Sequence, residues 1–111
     1  MAPLPNADNA FVEPGKMANY LLSDTHPIGA PKARFFKRFG FTASHPDELT
    51  AALLLHAKSH DAVAQPPTIH GTKYVVTGPL PCPDGRLPLI KAVWVVDAGQ
   101  TAPRFVTAVP A

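Results

Sequence analysis

The residues best suited to chemistry gather in one short stretch. His26 sits in Thr25-His26-Pro27-Ile28-Gly29-Ala30, a loop stiffened by proline, and Lys32 and Arg34 follow at once. An imidazole is the side chain that ordinarily titrates near neutrality, so it can give or take a proton there. Cations at the start of a helix oppose its dipole, so helix stability does not explain them. Together with the first free amides of a helix, Lys32 would form an anion site. A second cluster is His70-Gly71-Thr72-Lys73-Tyr74, where Lys73 and Tyr74 have side chains fit for acid–base or phosphate work. Thr107, in Arg104-Phe105-Val106-Thr107-Ala108, either faces a cleft or pairs across strands. Trp94 is the single tryptophan, more often a core residue than a ligand platform, and is kept as a substrate-binding candidate with Arg34 and Tyr74.

Other constellations carry less. His56 and His60 stand at i and i+4, a spacing that lets two imidazoles share zinc. The sequence His-Ala-Lys-Ser-His has no glutamate after the first histidine and no evident third ligand. No metal site and no cofactor are therefore expected. Phosphate-loop, dinucleotide and nucleophile-elbow patterns are missing. Cys82 is the single cysteine, which excludes a disulfide framework, and its Pro-rich turn shows no sign of thiolate activation.

These side chains need elements to position them. The 111 residues amount to one domain, 1–111, with residues 1–10 reading as a flexible leader. Hydrophobic residues make up 46% and charged residues 16%, which argues against a charge-driven disordered chain. Net charge is +2, which permits an anionic partner without demanding one. No apolar run is long enough to cross a membrane, and the N-terminus lacks the pattern of a signal peptide, so a cytoplasmic location is expected.

Proline is the compositional outlier, 14 residues against a usual ~5% of a chain. The prolines leave clean windows at 15–26, 32–45, 47–65, 68–78, 89–102 and 104–109. Proline is costly inside helices and strands and tolerated at their ends, so each window reads as one element. Pro14 opens a helix with Met17, Tyr20 and Leu21 on one apolar face, ending before Ser23-Asp24. A second helix opens at Pro31, runs from Lys32 to Phe39 with Phe35, Phe36 and Phe39 as its stripe, and stops at Gly40. The third starts at Pro46-Asp47-Glu48, capped by Ser44 or His45, and carries Leu49, Ala52, Leu53, His56, Ala57 and His60 at helical period. Strands follow at Lys73–Thr77, Leu89–Val96 and Arg104–Val109, with Asp84-Gly85 as a turn signal. The expectation is an α+β fold: about three N-terminal helices packed on a C-terminal antiparallel sheet of three to four strands.

Several stretches also carry a family resemblance. His-Pro-Ile-Gly-Ala-Pro-Lys-Ala-Arg-Phe-Phe-Lys-Arg-Phe-Gly-Phe at 26–41 resembles the signature of a small bacterial domain of unknown function associated with toxin modules. The likeness continues through Gly-Thr-Lys-Tyr-Val-Val-Thr-Gly-Pro-Leu at 71–80, Asp-Gly-Arg at 84–86, Val-Trp-Val-Val at 93–96 and Pro-Arg-Phe-Val-Thr-Ala at 103–108. The layout is similar to the Barnase–EndoU–Colicin–RelE ribonucleases. The resemblance implies a metal-independent endoribonuclease toxin that cleaves RNA, tRNA or mRNA, by 2′-hydroxyl attack, with a small cognate antitoxin or immunity protein as partner. His26, Lys32, Lys73 and Thr107 would then be catalytic, and Arg34, Tyr74 and Trp94 would bind substrate. The alternative is a non-catalytic binding module: an antitoxin, immunity or phage-associated interaction domain.

Overall fold

The structure, a computed structural model, describes residues 2–23 and 25–111, with every side chain but that of Ala18. A short 3-10 turn, Ala7–Asn9, is followed by a five-residue π turn, Met17–Leu21. Two α-helices come next, α1 at Gly29–Arg38 and α2 at Pro46–Ser59. Four strands complete the chain: β1 (Ala62–Ala64), β2 (Gly71–Pro79), β3 (Leu89–Asp97) and β4 (Arg104–Pro110). They form one antiparallel sheet in the order β1-β2-β3-β4. The α+β reading holds. β1 is the strand that the proline windows merged with the preceding helix, because its three residues lie inside window 47–65.

Burial follows the expected periodicities. α2 turns Leu49, Leu53, His56 and Ala57 inward, spaced to lie on one face. Phe36 is the fully buried member of the α1 stripe, while Phe35 and Phe39 are half-buried. Val76 on β2 and Ile90, Ala92 and Trp94 on β3 meet these helices at strand period two. Trp94 packs edge-on against Phe105 of β4, ring centroids 5.2 Å apart, with none of its surface exposed. Burying these large side chains supplies most of the driving force for folding, about 1.5–3 kcal/mol each before entropy.

Three details depart from the sequence reading. The first helix is a π turn, in which the Leu22 N–H donates to the Met17 carbonyl at 2.7 Å. Asp24, its expected terminus, lies outside the described residues. α1 begins at Gly29, before Pro31, because a proline in the first turn loses no intrahelical bond. Residues 2–10, part of the stretch read as a leader, are held to the fold. Leu4 is buried, and the Ala62 N–H donates to the Ala2 carbonyl at 2.9 Å. Phe11 then bridges the start of β4: its N–H donates to Pro103 and its carbonyl accepts from Phe105, both at 3.0 Å.

The far end of α1 is fastened by the β2–β3 loop. Gly40, at φ 101, takes the left-handed conformation that lets the chain turn away after the helix. Arg86 donates to the exposed Arg38 carbonyl at 2.7 Å, pairs with Asp84 at 2.6 Å and lies over the Phe39 ring at 4.3 Å. The Asp84-Gly85-Arg86 turn therefore closes the helix as well as the hairpin.

His56 makes the core sensitive to acid. Its Nε2–H donates to the Gly78 carbonyl at 3.0 Å, and burial pushes its pKa below the ordinary 6.5, helped by neighbouring His60. A lowered pKa means the unfolded chain binds a proton that the native one refuses, so stability rises with pH there. Its contribution is complete above pH 6.5 and is lost as pH falls below that value. Urea melts between pH 7 and 5 should show this loss. His56→Gln, which can still donate to Gly78 but does not titrate, should flatten that slope.

Candidate functional site

The site forms where the π turn, the start of α1 and the last strand meet. A π turn inserts an extra residue into the helical repeat. Met17, Leu21 and Leu22 become buried, and Tyr20 is left half-exposed beside them. Gly29 then brings α1 against this turn: a Cβ at that position would collide with the Tyr20 carbonyl. The close approach sets Lys32, one helical turn further on, beside the Tyr20 side chain.

Lys32 Nζ donates to Tyr20 Oη at 2.5 Å and to Thr107 Oγ1 at 2.9 Å. Tyr20 Oη and Thr107 Oγ1 are themselves 2.9 Å apart, which closes a triangle. Thr107 reaches it because β4 carries a bulge. Trp94 pairs with Phe105 and Val93 with Thr107, so Val106 is inserted without a partner on β3. Such bulges re-aim side chains, and here Val106 and Thr107 both line the cleft.

Burial raises the Tyr20 phenol pKa. The hydrogen bonds from Lys32 and Thr107, and the charges of Lys32 and Lys16, together outweigh burial and hold the pKa below the ordinary 10.0. Both ammoniums lie against the ring, Lys16 at 5.0 Å and Lys32 at 5.1 Å from its centroid.

His26 stands edge-on to Tyr20, ring centroids 5.0 Å apart. Its Nδ1 accepts from the Ile28 and Gly29 amides at 3.1 and 3.0 Å. The imidazole thereby satisfies two N–H groups that the first turn of α1 leaves unpaired. These amides are spent on His26, so they do not form the anion site expected at this helix start. The two amide donors also assign the neutral ring its hydrogen at Nε2. Lys16, Asn19, Tyr20, His26, Ile28 and Thr107 are among the residues around an open cleft of about 720 Å³.

The structure thus brings together His26, Lys32 and Thr107 of the sequence candidates. Tyr20 and Lys16 join them; the sequence reading put Tyr20 on an apolar helical face and passed over Lys16. Arg34 is exposed on α1, two residues and roughly 200° around the helix from Lys32. Lys73 is exposed on β2 by the β1–β2 loop, lining a separate hollow of about 140 Å³ with His70 and Val95. Tyr74 packs against the core from the helix-covered face. Trp94, being fully buried, presents no surface to a substrate, which corrects its placement among binding residues. His56 and His60 spend their Nε2 atoms on the Gly78 and Pro79 carbonyls, each at 3.0 Å. Cys82 donates to the Leu80 carbonyl, and burial with the Asp84 charge pushes its thiol up to about 11.

Among solved structures, the fold is similar to a chain of the contact-dependent growth inhibition toxin–immunity protein complex from Klebsiella pneumoniae 342. The TM-score is 0.61 at 16% identity, over 94% of this chain and 95% of that one. At that identity the likeness is one of fold. No protein of curated function matches the sequence. By sequence, the chain belongs to the DUF6883 family, a domain of unknown function, which it matches over residues 3–111.

The capping geometry sets an expectation for His26. His26→Ala should remove the one acceptor that serves both amides and cost about 1 kcal/mol of stability. His26→Asn, whose side-chain oxygen is a good cap, should recover most of that loss. Denaturant melts of the two variants measure it, and faster amide exchange at Ile28 and Gly29 locates it.

Proposed function

We propose that this domain is a metal-independent endoribonuclease of a toxin system, restrained by a cognate partner protein. The observation that carries the reading is the meeting of Lys16, His26, Tyr20 and Thr107 around one cleft, with Lys32 hydrogen-bonded to two of them. Cleavage of RNA by its own 2′-hydroxyl needs a proton acceptor, positive charge around the crowded phosphate and a path for the 5′-oxygen to leave. The cleft offers the Lys16 ammonium and the Nε2–H of His26 as phosphate contacts, and two lysines supply the charge. Thr107 Oγ1 adds a hydroxyl at the same wall. The fold supports the reading through its likeness to a chain of a toxin–immunity complex.

The second reading, a non-catalytic immunity or binding domain, draws on the same likeness, because that complex holds both kinds of chain. The site favours catalysis. A pure docking surface has no need of an ammonium, a phenol and a hydroxyl joined in one triangle beside an open cleft.

Purified protein incubated with total RNA in EDTA should release fragments with 2′,3′-cyclic phosphate and 5′-hydroxyl ends. Lys32→Ala should lower the rate by about a hundredfold or more, the usual effect of removing one electrostatic stabiliser. RNA left intact at high protein concentration, with no arrest of growth on expression, would turn the assignment toward the binding module.

A further inference from the structure

On the reading of this cleft as a ribonuclease site, we propose that Tyr20 is the base that takes the 2′-hydroxyl proton. Lys32 is then a positioning residue and His26 a phosphate contact, and neither is the proton acceptor.

Elimination among the described cleft residues leads there. His26 spends the lone pair of Nδ1 on two backbone amides, and in the neutral ring Nε2 carries the hydrogen. It has a donor to offer the cleft and no acceptor. Glu13 lines the cleft but is paired with Arg104, 3.4 Å away. Lys16 and Lys32 are ammoniums, and Asn19 and Thr107 carry an amide and a hydroxyl, which are poor bases. Tyr20 remains. Its oxygen is the apex on which the Lys32 ammonium and the Thr107 hydroxyl converge. Donors aimed at one oxygen favour the charged form of that group. Among the described residues, the groups facing it are Lys16 just before the π turn, His26 on the loop, Lys32 on α1 and Thr107 on β4, and none of these carries a negative charge. The lowered phenol agrees with that arrangement. Lys32 is not among the residues that line the cleft, so it acts on substrate through Tyr20.

The step balances without a metal. The Tyr20 phenolate takes the proton from the 2′-hydroxyl as the 2′-oxygen forms its bond to phosphorus. The bond from phosphorus to the 5′-oxygen breaks, and that oxygen takes a proton from water in the open cleft. Tyr20 then gives its proton to the hydroxide left behind, which restores the phenolate and the water. The products are a 2′,3′-cyclic phosphate and a 5′-hydroxyl.

The chain has two tyrosines, so Tyr74→Phe leaves Tyr20 as the one phenol to titrate. Its phenolate absorbance should appear below pH 10, and adding Lys32→Gln should move that transition upward. A transition at or above pH 10 that ignores Lys32 would overturn the pairing. In the cleavage assay, Tyr20→Phe should lose about 10²–10⁴-fold, the range for general base catalysis. Replacing Tyr20 by 3-fluorotyrosine, a more acidic phenol, should shift the rising limb of kcat/KM to lower pH. A limb that stays in place, or a Tyr20→Phe variant that cuts as well as the parent, refutes the base while leaving a ribonuclease. Wild-type protein that does not cut RNA at any pH refutes both readings.

Discussion

The Lys32 ammonium is the point on which the arrangement depends. It joins a phenol 12 residues before it and a hydroxyl 75 residues after it, so one charged group ties the N-terminal turn to the last strand. A hydrogen bond from a charged donor is shorter and roughly twice as strong as a neutral one. Its strength is available only if three backbones arrive correctly. The π turn must leave Tyr20 at the surface, Gly29 must let α1 approach the Tyr20 carbonyl, and the β4 bulge must bring Thr107 to the cleft. Each is a local irregularity in an otherwise regular fold. Irregular backbone costs energy and persists where surrounding structure holds it, and here that structure is the sheet and the Phe36–Trp94 core.

α1 is held accordingly at both ends and in the middle. His26 satisfies its first amides, Arg86 and Gly40 close its last turn, and Phe36 buries its centre. Three of the five histidines show how position decides role. His56 on α2 and His60 at its end lie above a strand whose carbonyls they satisfy, so their Nε2 atoms are already committed. His26 is also committed at one nitrogen, but its ring borders the cleft and, among the described residues, its second nitrogen has no hydrogen-bond partner. A histidine count alone does not separate these cases; the hydrogen-bond partner of each ring nitrogen does.

Much of the fold was legible because proline confines regular structure. The windows between prolines contain α2 and the cores of β2, β3 and β4, and Pro46, Pro79 and Pro110 sit at element ends. β1 escaped because three residues are too few to carry a periodicity. The site was legible in part. His26, Lys32 and Thr107 stood out as polar residues without a packing role. Tyr20 was hidden, since i, i+3, i+4 spacing places it on the buried stripe of a regular α-helix, and only the π turn removes it from that stripe. Its signal was present all the same, in a phenol flanked by Lys16 and a Gly-Ala-Pro-Lys helix start. Lys73, Arg34, Tyr74 and Trp94 were grouped by residue type, and strand alternation and helical rotation then distribute them to other faces.

The electrostatics of the cleft carry a cost. Two ammoniums lie within about 5 Å of the Tyr20 ring, and Glu13, the one carboxylate among the described residues that line the cleft, is turned to Arg104. Like charges gathered on one side chain disfavour the folded state, though water screens the exposed one. The hydrogen bonds of Lys32 and the attraction of both ammoniums to the ring face offset part of this, and the cleft stays open, with Ile28 at its rim 64% exposed. The strain is relieved by negative charge placed at the apex of the triangle. A phenolate on Tyr20 does so from inside the protein, and a phosphate in the cleft does so from outside. On the proposed ribonuclease reading, the cationic pair around this phenol would meet a polyanion that arrives with its own charge and a proton to lose.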